Sequence, residues 1–142
     1  MTAPDRFLRL LLRVIGTAAL LAVFAVVMPH AWMDAIHRGL GMGELPDEPI
    51  VGYLARSTSA FYALLGGLFW VVSFDLHRHS MVLRYIAAAI VLFGAALFVV
   101  DLLEGLPLWW SFCEGPFNAA FGIYILASSR RLNTISSQDR AA

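Results

Sequence analysis

Apolar residues gather in four long stretches, 10–28, 51–74, 82–103 and 107–127, each near the roughly 20 residues that carry a helix across a bilayer. The polar punctuation between them is sharp. Pro29 closes the first stretch, Asp75-Leu-His-Arg-His-Ser80 parts the second from the third, and Glu104-Gly-Leu-Pro107 makes a tight turn into the fourth, its proline suited to the first turn of a new helix. Connections this short force antiparallel neighbours. The pattern therefore predicts an all-α fold, an integral membrane four-helix bundle of up-down topology, with residues 1–142 forming a single transmembrane domain.

The longest connection has a pattern of its own. Trp32, Met33, Ile36 and Leu40 recur near helical spacing, with Asp34 and Arg38 four apart on the other side, which predicts a short amphipathic helix lying on the membrane surface. Gly39, Gly41 and Gly43 end it, and Glu44 to Pro49 forms an acidic, extended lead into the second stretch. From about Ser128 the chain turns polar and is expected to leave the bundle as a tail.

Composition agrees with this class, since 60% of residues are hydrophobic and 14% are charged. Ten acidic residues balance ten basic ones, so no charge excess calls for a nucleic acid partner. Distribution is more informative than balance. Arg6, Arg9, Arg13, Arg78, Arg84, Arg130, Arg131 and Arg140 flank one set of span ends, whereas Asp34, Glu44, Asp47, Glu48 and Glu104 crowd the other. The positive-inside rule then puts both termini in the cytoplasm and the Trp32 loop outside. Trp32, Trp109 and Trp110 at the outer boundary and Trp70 at the inner one match aromatic belts. An Arg-bearing start before an apolar run also describes a secretory leader, but no small-x-small cleavage site follows, so the run is read as a span. Cys113, the single cysteine, is expected to act as a small core residue.

Small residues at helical spacing mark the faces on which membrane helices approach. Ala18, Ala22 and Ala25 form such a row in the first stretch, Ser59, Ala63, Gly66 and Gly67 in the second, Ala87 and Gly94 in the third, Asn118 and Gly122 in the fourth. Arg56, Asp101 and Glu114 extend these rows and are expected to face the interior. By a rise of about 1.5 Å per residue, Arg56 and Glu114 lie on the order of 10 Å below the outer boundary, with Asp101 just above. One guanidinium facing two carboxylates is not neutral, so a shared proton, a further cation, a ligand or a water-filled opening must complete the balance. Arg56, Asp101, Glu114 and Asn118 are thus candidates for either a ligand site or a structural ion pair, with Tyr53, Ser57, Thr58, Tyr62 and Ser111 as further polar groups nearby.

Other chemistry finds no support in the pattern. His30 and His37 fall outside, His77 and His79 inside, so no pair stands on facing helices as axial ligands of a haem. Asp75, His77 and His79 alternate in the short inner loop, but without a fourth ligand they read as solvated side chains rather than a metal site. No catalytic, nucleotide or cofactor motif occurs, and no cofactor is expected.

A short Arg-bearing start, an acidic outer loop, Arg56 ahead of Tyr62-Ala-Leu-Leu-Gly-Gly67, and Asp101 to Glu104 before Glu114-Gly-Pro116 together resemble small four-helix bacterial inner-membrane proteins of DoxX-like organisation. The resemblance implies a four-helix fold and a multi-pass place in the cell inner membrane, with no assigned reaction. The leading expectation is a non-enzymatic accessory or assembly protein, with the lipid bilayer and a membrane-protein partner or a second copy as its contacts. The alternative is a carrier or binder of a small molecule or lipid through an outward-facing polar pocket.

Overall fold

The computed structural model describes the backbone of residues 3–138 and the side chains of residues 5–130. Among the described residues the chain is helical, with no strand: α1 (Ala3–Leu21), α2 (Val23–Val26), α3 (His30–Gly39), α4 (Pro49–Phe74), α5 (Ser80–Leu103) and α6 (Leu108–Gln138). Three stretches, Asp5–Val26, Pro49–Phe74 and Ser80–Leu103, are long and apolar enough to cross a membrane. α6 is the longest helix, but Glu114, Pro116 and Asn118 dilute its apolar character.

Two compact units make up the chain. One holds residues 11–71 and the other residues 1–10 with 72–142, so the boundary between them runs through α1 and α4.

In the 11–71 unit, α1 and α4 approach through glycine. A Cβ at Gly66 would stand 2.5 Å from the Gly16 carbonyl oxygen and 2.7 Å from the Leu20 nitrogen, distances that only the absence of a side chain permits. Thr17 and Trp70 join the same faces, the indole Nε1 donating to Thr17 Oγ1 at 3.1 Å, and the Arg13 guanidinium lies 5.1 Å over the Trp70 ring. The row Ala18, Ala22, Ala25 is not the contact of the first span: Ala18 is exposed and the other two are half-buried. The reason is a break at Ala22, where the bonds Ala22 N to Ala19 O and Ala25 N to Ala22 O shorten the helical step to three residues. Residues past such a break no longer continue the face that precedes it.

In the other unit α5 packs along α6. The buried positions of α5 are Leu83, Ile86, Ala87, Ile90, Gly94 and Asp101, and those of α6 are Ser111, Gly115, Phe121, Gly122, Ile125 and Ser129. Both rows keep the spacing of three and four that places residues on one helical stripe. Glycines set the antiparallel register: a Cβ at Gly94 would lie 2.6 Å from both Gly115 O and Ala119 N, and one at Gly122 would lie 2.7 Å from Ala87 O. At the Arg-bearing end of this unit the Asp5 carboxylate lies 4.0 Å from His77 Nε2 and Arg9 donates to the Phe74 carbonyl at 3.4 Å.

Two expectations fail in this unit. The chain does not turn into a loose tail at Ser128, because α6 continues to Gln138 and Ser129 is fully buried. Polarity lowers hydropathy without breaking a helix, and 128–138 contains neither Gly nor Pro to stop one. Cys113 is exposed rather than a core residue, since it stands two positions past Ser111 and so falls off the buried stripe.

Candidate functional site

Asp101 sits in the last turn of α5, where the helix closes on glycine. The Leu106 amide donates to the Asp101 carbonyl at 3.0 Å and Gly105 adopts φ of 71°, the left-handed close that a Gly at this position allows. Its side chain extends the buried stripe and is 3% exposed, and its Oδ2 has no hydrogen-bond partner. Ser111 begins the facing stripe of α6 and is fully buried, with an Oγ that likewise has no partner. The register set by Gly94 against Gly115, and by the Phe98 and Phe112 rings at 5.4 Å, puts Ser111 beside Phe98, about one turn from Asp101.

Glu114 is half-buried one turn further along α6, its Oε2 accepting from Trp110 Nε1 at 2.5 Å. Asn118 turns its amide to its own helix, Nδ2 donating to the Glu114 carbonyl at 2.9 Å. Asp101, Glu114 and Asn118 therefore share one unit, spread along the α5–α6 contact, with Asn118 beside Gly94 and Asp101 at the helix end. Arg56 belongs to the other unit, and its guanidinium serves backbone carbonyls, Met28 O at 3.0 Å and Gly52 O at 3.4 Å. Met28 lies just past α2, so Arg56 places positive charge at the carbonyl-rich end of the first span, where a helix favours it.

A second polar assembly, not anticipated from the spacing of residues, is built from the loop around α3. α3 ends in two turns of bonding around Gly41, with Gly41 N donating to Arg38 O and Met42 N to His37 O, and Gly41 and Gly43 take φ of 76° and 85°. The chain then folds back along the helix. Leu45 N donates to Asp34 Oδ1 at 2.9 Å, His37 Nδ1 lies 3.0 Å from Gly43 O, and His30 Nε2 lies 3.3 Å from Pro46 O. Arg38 grips Asp34 through Nε and Nη2 and reaches Glu44 at 3.5 Å, while His30 Nδ1 is 3.3 Å from Asp47. The bonds from Arg38 and then from the Leu45 amide hold the Asp34 carboxyl below its ordinary range.

The fold-back leaves a groove of about 390 Å³ lined by His30, Asp34, Arg38, Glu44, Leu45, Pro46 and Asp47. Such pairings involve side chain to backbone bonds between residues 6 to 16 apart, which leave no periodic trace. Only the density of His, Asp and Gly between 30 and 47 could have signalled them.

No known family matches this chain, and neither curated proteins nor solved structures provide a match to it. Function must therefore be argued from the two assemblies themselves. At the inner-loop sequence, Asp75 Oδ1 accepts from the Arg78 amide at 3.0 Å and His79 Nδ1 lies 2.8 Å from Asp75 O. That is the geometry of a turn between helices. Among the described residues no three His, Cys, Asp or Glu side chains gather as metal ligands.

Proposed function

We propose that the chain is a four-helix protein of a bacterial inner membrane, with both termini cytoplasmic, that acts without chemistry of its own as an accessory protein. α6 is the fourth span in this reading. The folded α3 loop is its recognition surface. The observation that carries the reading is that this loop is a built structure and not a slack connection: seven residues line a groove held by contacts from both ends of α3. Loops positioned by a rigid scaffold are where binding is concentrated.

Charge gives the groove a preference. One Arg38 faces Asp34 and Glu44, and Asp47 faces only His30, so the rim keeps an excess of negative charge, with the Glu44 and Asp47 side chains 79% and 96% exposed. A basic segment of a neighbouring membrane protein fits such a rim. The glycine faces that would otherwise serve association are consumed inside each unit, Gly16 with Gly66 and Gly94 with Gly115.

Native mass spectrometry of the protein extracted with its surrounding lipid tests the reading. A stoichiometric second protein that is lost in the double variant Glu44→Lys, Asp47→Lys supports it. A retained small molecule with no other protein would overturn it in favour of the second reading, a binder of a small ligand. The unpartnered buried oxygens of Asp101 and Ser111 are what favour that alternative.

A further inference from the structure

His30 opens α3, and the chain that returns along the helix meets its ring at both nitrogens. Nε2 lies 3.3 Å from the Pro46 carbonyl oxygen, and Nδ1 lies 3.3 Å from the Asp47 carboxylate. A carbonyl and a carboxylate can only accept. A neutral imidazole has one N–H, so it serves one of these oxygens and turns a lone pair towards the other, whereas an imidazolium donates to both. His37 is the contrast within the same loop: its Nδ1 lies 3.0 Å from the Gly43 carbonyl, a contact that a neutral ring makes equally well.

The charges around His30 oppose one another. Asp34 and Arg38 stand on α3 itself, Glu44 and Asp47 on the returning segment, and Glu48 follows at the start of α4. From within α4, Arg56 reaches the Met28 carbonyl, two residues ahead of His30. Three acids and one arginine line the groove, and that excess favours a proton on His30. The Arg56 guanidinium and the amide dipoles at the start of α3 work against one. Asp34, held below the ordinary carboxylate range by its bonds to Arg38 and to the Leu45 amide, stays ionised wherever histidine changes charge. The Asp47 side chain is 96% exposed, and an ion pair so exposed is weak enough to open and close.

We propose that His30 is a proton-operated clasp: as an imidazolium it holds residues 46–47 to the start of α3, and as a neutral ring it lets Asp47 go. The closed form is complete at the acid end of the range between about pH 5 and 8 in which histidine changes charge, and it is lost as pH rises through that range. Once released, Asp47 joins Glu44 as an open carboxylate on the rim, so a basic partner binds more tightly as pH rises. That effect on a partner rests on the recognition reading of this loop, whereas the clasp rests on the loop geometry.

The test is NMR of the full chain in detergent micelles, with histidine rings and backbone amides labelled with ¹⁵N, from about pH 5 to 8. Both His30 ring nitrogens are expected to carry protons at the acid end, and the Asp47 amide shift is expected to move with the same midpoint as the His30 ring. In His30→Gln the Asp47 transition should be lost. An Asp47 amide that ignores the His30 titration overturns the proposal, as does a transition that persists in His30→Gln. A hexa-arginine peptide added to the same samples reads the rim. Binding several-fold tighter at the alkaline end in the wild type, and equal at both ends in His30→Gln, supports the release of Asp47, and equal binding at both ends in the wild type overturns it. A clasp that titrates as expected while the peptide binds at neither end supports the clasp and overturns the recognition reading.

Discussion

Asp34 shows how much one carboxylate organises. It accepts from Arg38 and from the Leu45 amide, and so ties the helix α3 to the strand of chain that returns along it. Its pKa lies below the ordinary 3.8, so its contribution to loop order is complete above that value and is lost as pH falls through the lower folded one. The Leu45 amide proton shift is therefore expected to titrate with a midpoint below 3.8. In Asp34→Asn this titration should vanish. A midpoint at or above the ordinary value would show that the Asp34 contacts do not persist in solution. Single residues were the least legible level of this chain. Asp101 could be placed on a buried face by its spacing from Gly94, and it is there. Cys113 was misplaced because an apolar run says nothing about which side of a helix a position occupies once all sides are apolar. Arg56 illustrates a different gap: its guanidinium donates to the Met28 and Gly52 carbonyls, and backbone acceptors are invisible in a list of side chains.

Helices were far more readable than the faces they present. The apolar runs 51–74 and 82–103 predict α4 and α5 to within two residues at each end, because hydropathy and helix length report the same bilayer thickness. α3 also emerges from its spacing of Trp32, Met33 and Ile36. The break at Ala22 did not, since no proline or glycine marks it. Gly16, which lies outside the expected alanine row, makes the close approach to Gly66 instead. These approaches are testable as paired substitutions. Gly66→Ala and Gly94→Ala each force backbone apart, and each is expected to destabilise by roughly 1–3 kcal/mol, the usual cost of overpacking. Gly39→Ala meets nothing within 4 Å and is expected to be neutral or mildly stabilising. Thermal unfolding in detergent separates the two classes. If all three variants melt alike, the glycine contacts do not hold these helices together.

At the scale of the whole molecule, the charge pattern along the chain supports the proposed orientation. Arginines at 6, 9, 13, 78, 84 and 130 bound one set of helix ends, and the acidic α3 loop lies between the other ends of α2 and α4. With α6 as a fourth span, a fluorescent protein fused after Ala142 should fold in the cytoplasm, and a tag placed at Gly43 should be reached only from outside the cell. Labelling of the Gly43 tag from the cytoplasmic face would reverse the topology. The division of the chain into residues 11–71 and residues 1–10 with 72–142 also bears on how the protein is made. The opening turns of α1 group with residues after position 71, which are synthesised later. The interposed unit can close as soon as α4 has emerged, since chains assemble unit by unit from the amino terminus. The opening turns of α1, with buried Leu8 among them, must wait unsatisfied through that interval. The unit that holds the opening turns of α1 therefore closes only after α5 and α6 have been made, and a stall between α4 and α5 would leave Leu8 without its packing.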